Sequence, residues 1–353
     1  MVPFRALSRV DGAMDLVAGL LDPAAYPEAT SRVELVQTHI SWVFLTDRFA
    51  YKVKKPVRLE FLDFSTLRQR HYYLKQELVL NRRLCPDIYL EVLPLTVVGG
   101  RLRVGGQGKP VDYALKMVRL PQERMMDEVA AAGGLGPEVM ERLLAVLLPF
   151  YRRAATGRHI NRYGEPAILA YNHEENFARM KSGVGEVLSP GLFAEIRDYV
   201  RGFLQHRRPL LRRRLKEGFI RDCHGDLHMR NICLADGIYV FDCIEFNPRF
   251  RYGDVAGDVA FLAMDLDFHG FEGLSRHFTQ GFAAGFPDPD LFRLLNFYCC
   301  YRACVRGKIH WLSAQEPGLT TMKREEQAAL ARAYFHLAGR YAREDLSWAD
   351  SWW

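Results

Sequence analysis

The densest run of chemically capable side chains is Cys223-His224-Gly225-Asp226-Leu227-His228-Met229-Arg230-Asn231, followed a little later by Phe241-Asp242. Asp226 and Asn231 stand five positions apart. Asp242 closes a predicted hairpin made of Ile232-Cys233-Leu234, the turn Ala235-Asp236-Gly237, and Ile238-Tyr239-Val240-Phe241. Two carboxylates and an amide oxygen, fixed by a loop and a tight hairpin, suit the transfer of a phosphoryl group. That reaction asks little covalent chemistry of a protein; positioning and charge neutralisation do most of it. Asp226 can accept or orient a hydroxyl proton. Asp242 and Asn231 can hold Mg2+, a hard cation that prefers oxygen and keeps several waters. An ordinary turn whose Asp and Asn satisfy backbone groups would explain Asp226 alone, but not the spacing and the hairpin together.

A second set lies upstream. Phe49-Ala50-Tyr51-Lys52 repeats the apolar-Ala-apolar-Lys form of the V-A-I-K strand lysine of kinases. On a strand Ala50, Lys52 and Lys54 share one face, so either lysine can reach nucleotide phosphates; the motif favours Lys52. Glu77, on the helix that follows, is its expected partner. Ser41, in the glycine-free turn Thr38-His39-Ile40-Ser41, supplies a small hydroxyl near backbone N–H groups that can meet phosphate oxygens. Gly105-Gly106-Gln107-Gly108-Lys109-Pro110 is only a turn, because Arg103 stands where a P-loop needs its first glycine and Pro110 where it needs Ser or Thr.

These groups need elements to hold them. Val33 to Val36, Trp42 to Leu45 and Phe49 to Val53 are short apolar or alternating runs, separated by turns, which predict an antiparallel meander. Leu67, Leu74, Leu78 and Leu84 space a helix across Ser65 to Leu84. Strand patterns return at Tyr89 to Val98 and Arg101 to Val104 around Gly99-Gly100, and at Val111 to Val118. Beyond Pro121 helices are predicted at Val139 to Arg153, Glu175 to Lys181, Gly191 to His206 and Leu210 to Glu217, and from Phe271 onward. The expected fold is α+β and two-lobed. A small antiparallel β lobe for nucleotide spans residues 1–120, and a larger helical lobe for catalysis and substrate spans 121–353.

The loop from His224 to Asn231 resembles the H-G-D-x-x-x-x-N loop of aminoglycoside phosphotransferase-like and choline-kinase-like enzymes, small-molecule kinases of protein-kinase-like fold. Asp242 resembles their metal-binding Asp, and Asp254 and Asp258 their downstream D-x-x-x-D-L-A stretch. The runs Thr38 to Phe44, Tyr51 to Pro56 and Phe61 to Ser65 are similar to an uncharacterised bacterial subfamily, and the resemblance covers nearly the whole chain. It implies ATP and Mg2+ as cofactors. It implies Asp226, His224 and Asn231 as catalytic groups, Lys52, Glu77, Ser41, Met117 and Arg119 at the nucleotide, and Asn231 and Asp242 at the metal. In a kinase the stretch Met117 to Arg119 links the lobes and its backbone bonds adenine. The implied activity is ATP-dependent phosphorylation of a hydroxyl on a small molecule. A nucleotide-binding pseudokinase module is one alternative, disfavoured because Asp226, Asn231 and Asp242 are all retained. A protein kinase is the other, disfavoured because Cys243-Ile244-Glu245 follows Asp242 in place of Phe-Gly and no A-P-E stretch follows. In the resembling family a P-loop ATPase domain often follows the kinase-like one; here such a partner is expected only in trans.

Composition narrows the rest. With 353 residues, 49% hydrophobic and 25% charged, the chain reads as a soluble globular protein, and its net charge of +6 lacks the dense basic face of a nucleic-acid binder. Arg5, Arg9, Asp11 and Asp15 break up the first apolar residues, and no signal core or membrane span is predicted. Seven cysteines without zinc or C-x-x-C spacing read as buried thiols of a cytoplasmic protein. No nucleic-acid or membrane partner is expected. Trp348, Trp352 and Trp353 suggest a packed tail, and the basic run from His206 to Lys216 a solvated helix face. Tyr171 to Phe177 suits an acceptor pocket or a capped helix start. From Glu128 to Arg221 the cationic residues outnumber the acidic ones, which argues against a polycationic aminoglycoside. The acceptor is expected to be a small hydroxylated molecule, sugar-like or amino-alcohol-like before aminoglycoside-like.

Overall fold

Alternating residues in the first third close into a six-stranded sheet whose neighbours are all antiparallel, in the order Glu34–Gln37, Ser41–Leu45, Phe49–Lys54, Asp112–Val118, Tyr89–Val98 and Arg101–Val104. The computed structural model describes residues 15–349; Arg5, Arg9, Asp11, Trp352 and Trp353 lie outside them. Helix α1 (Leu16–Leu21) precedes strands β1 (Glu34–Gln37), β2 (Ser41–Leu45) and β3 (Phe49–Lys54). A short hairpin of β4 (Arg58–Leu59) and β5 (Leu62–Asp63) leads to helix α2 (Leu67–Asn81), then β6 (Tyr89–Val98), β7 (Arg101–Val104) and β8 (Asp112–Val118). Helix α2 starts at Leu67 because Thr66 and Gln69 form a reciprocal capping box. On β3, Tyr51 and Val53 enter a core with Phe44, Leu95 and Ala114, while Lys52 and Lys54 take the opposite face.

The chain divides into two compact units. The first is Met1–Met125 with Cys233–Pro248, and the second is Met126–Ile232 with Arg249–Trp353. The sequence reading divides the chain once, near Leu120; the fold instead returns Cys233–Pro248 to the sheet unit. The cause is local bonding. Cys85 Sγ donates to Val240 O at 2.9 Å, Cys243 N to Asn81 Oδ1 at 2.9 Å, and Met125 bridges Cys233.

The second unit is mostly helical. It holds α3 (Met126–Ala131), α4 (Pro137–Arg153), α5 (Arg158–Asn161), α6 (Pro166–Met180), α7 (Pro190–His206) and α8 (Arg208–Lys216). Strand β9 (Ile220–Asp222) precedes the catalytic-loop candidate; the hairpin β10 (Ile232–Leu234) and β11 (Ile238–Val240) that follows it belongs, from Cys233 on, to the first unit. After α9 (Pro248–Arg251), β12 (Tyr252–Asp254) pairs antiparallel with β9. Then come α10 (Val255–Phe268), α11 (Glu272–Gly285), α12 (Leu291–Ala314) and α13 (Thr321–Ala349). The short helices α1, α3, α5 and α9 are not anticipated from the sequence, and two of the longer ones also differ from expectation. Helix α6 begins at Pro166, well before Glu175, since proline suits a first helical turn. Helix α10 is absent from the sequence reading, because every residue from Val255 to Leu266 is buried and leaves no polar contrast from which to read a period. All seven cysteines are buried and none is in a disulfide. Among the described residues no helix is long and apolar enough to cross a membrane.

Candidate functional site

In the sheet unit, Lys52 Nζ donates to Glu77 Oε1 and to Asp242 Oδ1, each at 2.6 Å. Lys54, on the same face of β3, donates to Glu77 Oε2 at 2.6 Å and pairs with Glu245. Five charges thus alternate: Asp242, Lys52, Glu77, Lys54, Glu245. Burial disfavours the charge on Glu77, but the two ammoniums overcome it and hold the carboxyl well below the usual range. Burial also disfavours charge on Lys52, yet Asp242 and Glu77 push its pKa well above normal. Glu245 goes the other way: burial and the nearby negative charge of Glu77 raise it against the pull of Lys54.

Asp242 is the exposed end of this chain, with 45% of its side chain accessible while Glu77 and Lys54 have none. It is also the one non-glycine residue with positive φ among the described residues, at +61°. That conformation costs a residue bearing a Cβ about 1–2 kcal/mol. Tyr89 helps to hold it, its hydroxyl accepting the Asp242 N–H at 3.1 Å. Backbone outliers of this kind gather at functional sites, and this one aims an accessible carboxylate.

In the helical unit the loop from His224 to Asn231 hangs from α10. Asp258 accepts the N–H groups of His224 at 2.7 Å and Gly225 at 3.0 Å, together with the Tyr151 hydroxyl at 3.0 Å. Asp265, two turns along the same helix, accepts Met229 N–H at 2.9 Å. Arg302 on α12 donates to Gly225 O and Gly257 O, each at 3.0 Å, and reaches Asp258. Gly225 takes φ +88°, a turn that glycine enters without the Cβ penalty.

This frame presents Asp226. Asn231 Nδ2 donates to its Oδ2 at 2.9 Å and to its backbone oxygen at 3.0 Å, and His228 Nε2 lies 3.3 Å from the same carboxylate. Burial raises the Asp226 pKa, but the positive fields of His228 and Arg306 more than offset it, so the carboxyl sits well below its ordinary value. With its NH2 spent on Asp226, Asn231 keeps its amide oxygen for another partner. Among the described residues no three His, Cys, Asp or Glu side chains converge as a ready metal cage. Mg2+ needs none, because phosphates and waters complete its shell; the exposed carboxylate of Asp242 and the amide oxygen of Asn231 are donors of suitable hardness.

Other expected residues are placed differently. His224 is fully buried, and its Nδ1 accepts Asp226 N–H at 3.3 Å, so it braces the turn behind Asp226 and does not face a substrate. Ser41 is also fully buried, beside its register partner Lys54, and its hydroxyl has no hydrogen-bond partner; the side chain is enclosed and not presented to solvent. Arg119 donates to Thr46 O at 2.8 Å and pairs with Glu34, which spends its guanidinium on the sheet. Near Met117, Val118 N–H bonds Ile88 O and Arg119 N–H bonds Arg48 O, so the first amide beyond the sheet is that of Leu120. Asn172 to Asn176 lie in mid-helix, which removes the capped-start reading. Arg201 neutralises Glu174 and Arg249 neutralises Glu175, each at 2.8 Å, and Lys308 donates to Asn176 Oδ1 at 2.5 Å.

Several supporting residues escape sequence reading: Glu245, His228, Asp265 and Arg302. For Asp265 a signal exists, since it follows Asp258 by seven positions, the spacing that returns to one helix face. His228 stands two positions after Asp226 in the same loop, whereas Glu245 and Arg302 become visible only when strand and helix are brought together.

No protein-family model matches the chain. Uncharacterised proteins of Mycobacterium bovis and Mycobacterium tuberculosis are 34% identical over 278 residues, 78% of this chain and 54% of theirs. The chain therefore spans about half the length of the curated relatives it matches. Among solved structures, an amicoumacin kinase in complex with AMP-PNP and Ca2+ gives a TM-score of 0.49 at 12% identity, covering 91% of each chain. A microcompartment-associated aminopropanol kinase gives 0.48 at 15%, covering 94% of this chain and 98% of its own. A choline/ethanolamine kinase family protein from Mesorhizobium loti gives 0.41 at 15%, covering 93% and 99%. The solved neighbours are small-molecule kinases and phosphotransferases.

Proposed function

We propose that the chain is an ATP-dependent phosphotransferase that moves a γ-phosphoryl group to a hydroxyl of a small molecule. The observation that carries the reading is Lys52 bonded at once to Glu77 and Asp242, residues 25 and 190 positions away in the chain. Lys52 neutralises phosphate charge and Glu77 holds it in place. Asp226 accepts the hydrogen bond of the acceptor hydroxyl, and Asn231 and His228 fix its orientation. Because Asp226 stays ionised and weakly basic, it orients the hydroxyl and receives the proton late, as suits a loose transition state. Mg2+ held by Asp242 and Asn231 would supply charge neutralisation on the phosphates.

The helical surroundings speak to the acceptor. The carboxylates of Glu174 and Glu175 are already matched by arginines, and Lys308 lies among them, which gives a polycation little to bind. An acceptor pocket bordered by these residues would suit a neutral or anionic hydroxylated metabolite better than an aminoglycoside.

The test is ADP release from ATP with and without a library of small hydroxylated compounds. Turnover is expected to rise with the correct acceptor and to fall by about 10²–10⁴ in Asp226→Asn. Equal, slow hydrolysis by wild type and variant would favour a nucleotide-binding module without transfer.

A further inference from the structure

The alternating charge chain has more members than the scheme above uses. Lys54 and Glu245 have no task in it, yet the Lys54 side chain is fully enclosed and that of Glu245 is 4% exposed. Two more buried charges are costly unless their geometry is good. Here the geometry is directed. Lys54 takes Oε2 of Glu77, the oxygen Lys52 leaves, and also bonds Glu245, three residues beyond Asp242. The Phe64 ring lies 5.1 Å from the same ammonium.

We infer that Lys54 and Glu245 are positioning residues of the nucleotide half-site, holding Glu77 and the segment after Asp242 in place while Lys52 exchanges Asp242 for a phosphate oxygen. The inference rests on the phosphotransferase reading. Lys52 bonds two carboxylates at present, and engaging a nucleotide means sharing its three donors differently. Were Lys52 the sole cation on Glu77, each such exchange would loosen a fully buried carboxylate. Lys54 keeps the second oxygen paired throughout, so α2 stays anchored to β3. Through Glu245 the same ammonium fixes the chain beyond Asp242 without help from Lys52. The exchange is thereby confined to one side chain.

The test compares Mg-ATP binding by calorimetry with thermal melting, in wild type, Lys52→Met, Lys54→Met and Lys54→Met/Glu245→Gln. Lys52→Met is expected to lose most Mg-ATP affinity yet melt close to wild type, because Lys54 still holds Glu77. Lys54→Met is expected to melt about 5 °C or more lower, since it strands the buried Glu245 carboxylate and leaves Glu77 with Lys52 alone. It should also bind Mg-ATP about 10-fold more weakly, the scale of losing a group that orients a ligand-binding side chain. The double variant relieves the charge on Glu245, so its melting should recover in part while its affinity stays low. Affinity that recovers together with melting would reduce Lys54 to a purely structural role, and unchanged affinity in Lys54→Met would likewise overturn the inference. Wild type that binds no Mg-ATP would overturn the phosphotransferase reading itself.

Discussion

At Asp226 burial disfavours charge while His228 and Arg306 favour it, and the positive groups prevail. The sign of the pH dependence follows. A carboxyl with a lowered pKa remains ionised as the pH falls through its ordinary value of 3.8, so protonation of Asp226 is not what ends activity on the acid side. Arg306→Gln removes only part of that field, so the acid limb of kcat/KM is expected to stay where it is; a limb moved to higher pH would show that Asp226 protonation does limit activity and that Arg306 tunes it. Gly225 gives a second test. At φ +88° an added Cβ is strained, and Gly225→Ala is expected to cost about 1–2 kcal/mol in urea unfolding and to depress turnover. The chemistry of this loop is legible in the sequence because Asp226 and Asn231 are near neighbours whose spacing alone sets their meeting. Glu245 is not, because its meeting with Lys54 spans 191 positions and depends on the register of β3 against the segment after β11. Ser41 and Arg119 mislead for a related reason: their residue types fit the nucleotide, but burial and a competing carbonyl claim them.

Among the elements, α10 shows how a helix can be invisible in sequence and central in space. Its apolar residues are buried on all sides, so no stripe distinguishes it from a buried strand, whereas the alternation of β2 and β3 and the capped start of α2 are local and readable. Its carboxylates do the placing. Asp254, its N-cap, engages Arg214 together with Asp288 from the loop before α12, Asp258 carries the turn at Gly225, and Asp265 carries Met229. Asp258→Asn keeps the shape but loses a charged acceptor shared by two N–H groups and Arg302. The expected loss is about 1.5–3 kcal/mol of stability. Turnover is expected to fall further than the unfolded fraction explains. Urea unfolding and ADP release measured on the same samples separate the two, and parallel losses would mean that Asp258 only supports the fold.

At the scale of the whole molecule, His173 couples acidity to stability. It packs against Phe177, Phe297 and Tyr301, and burial lowers its pKa from 6.5 to about 3. The unfolded chain takes up this proton near pH 6.5, so the stabilising contribution is complete above that value and is lost as pH falls toward 3. The full effect is on the order of 4 kcal/mol. His173→Phe keeps the ring packing and is expected to flatten stability against pH between those limits in urea unfolding, whereas an acid branch as steep as in wild type would remove His173 as its source. The two-unit division has a further consequence, for the order of events during synthesis. Lys52 and Glu77 leave the ribosome early, but Asp242 and Glu245 belong to a segment that the same unit receives only after most of the α3-to-β9 stretch has been made. Asp242 follows Glu77 by about 165 residues, which at ordinary elongation rates is roughly fifteen seconds. For that interval the nascent sheet holds two lysines and one glutamate, and it gains its remaining negative charges only when the later segment arrives. Its electrostatic balance is therefore completed from downstream, and a ribosome stalled within α4 to α8 would expose a sheet unit with its cationic face unmatched.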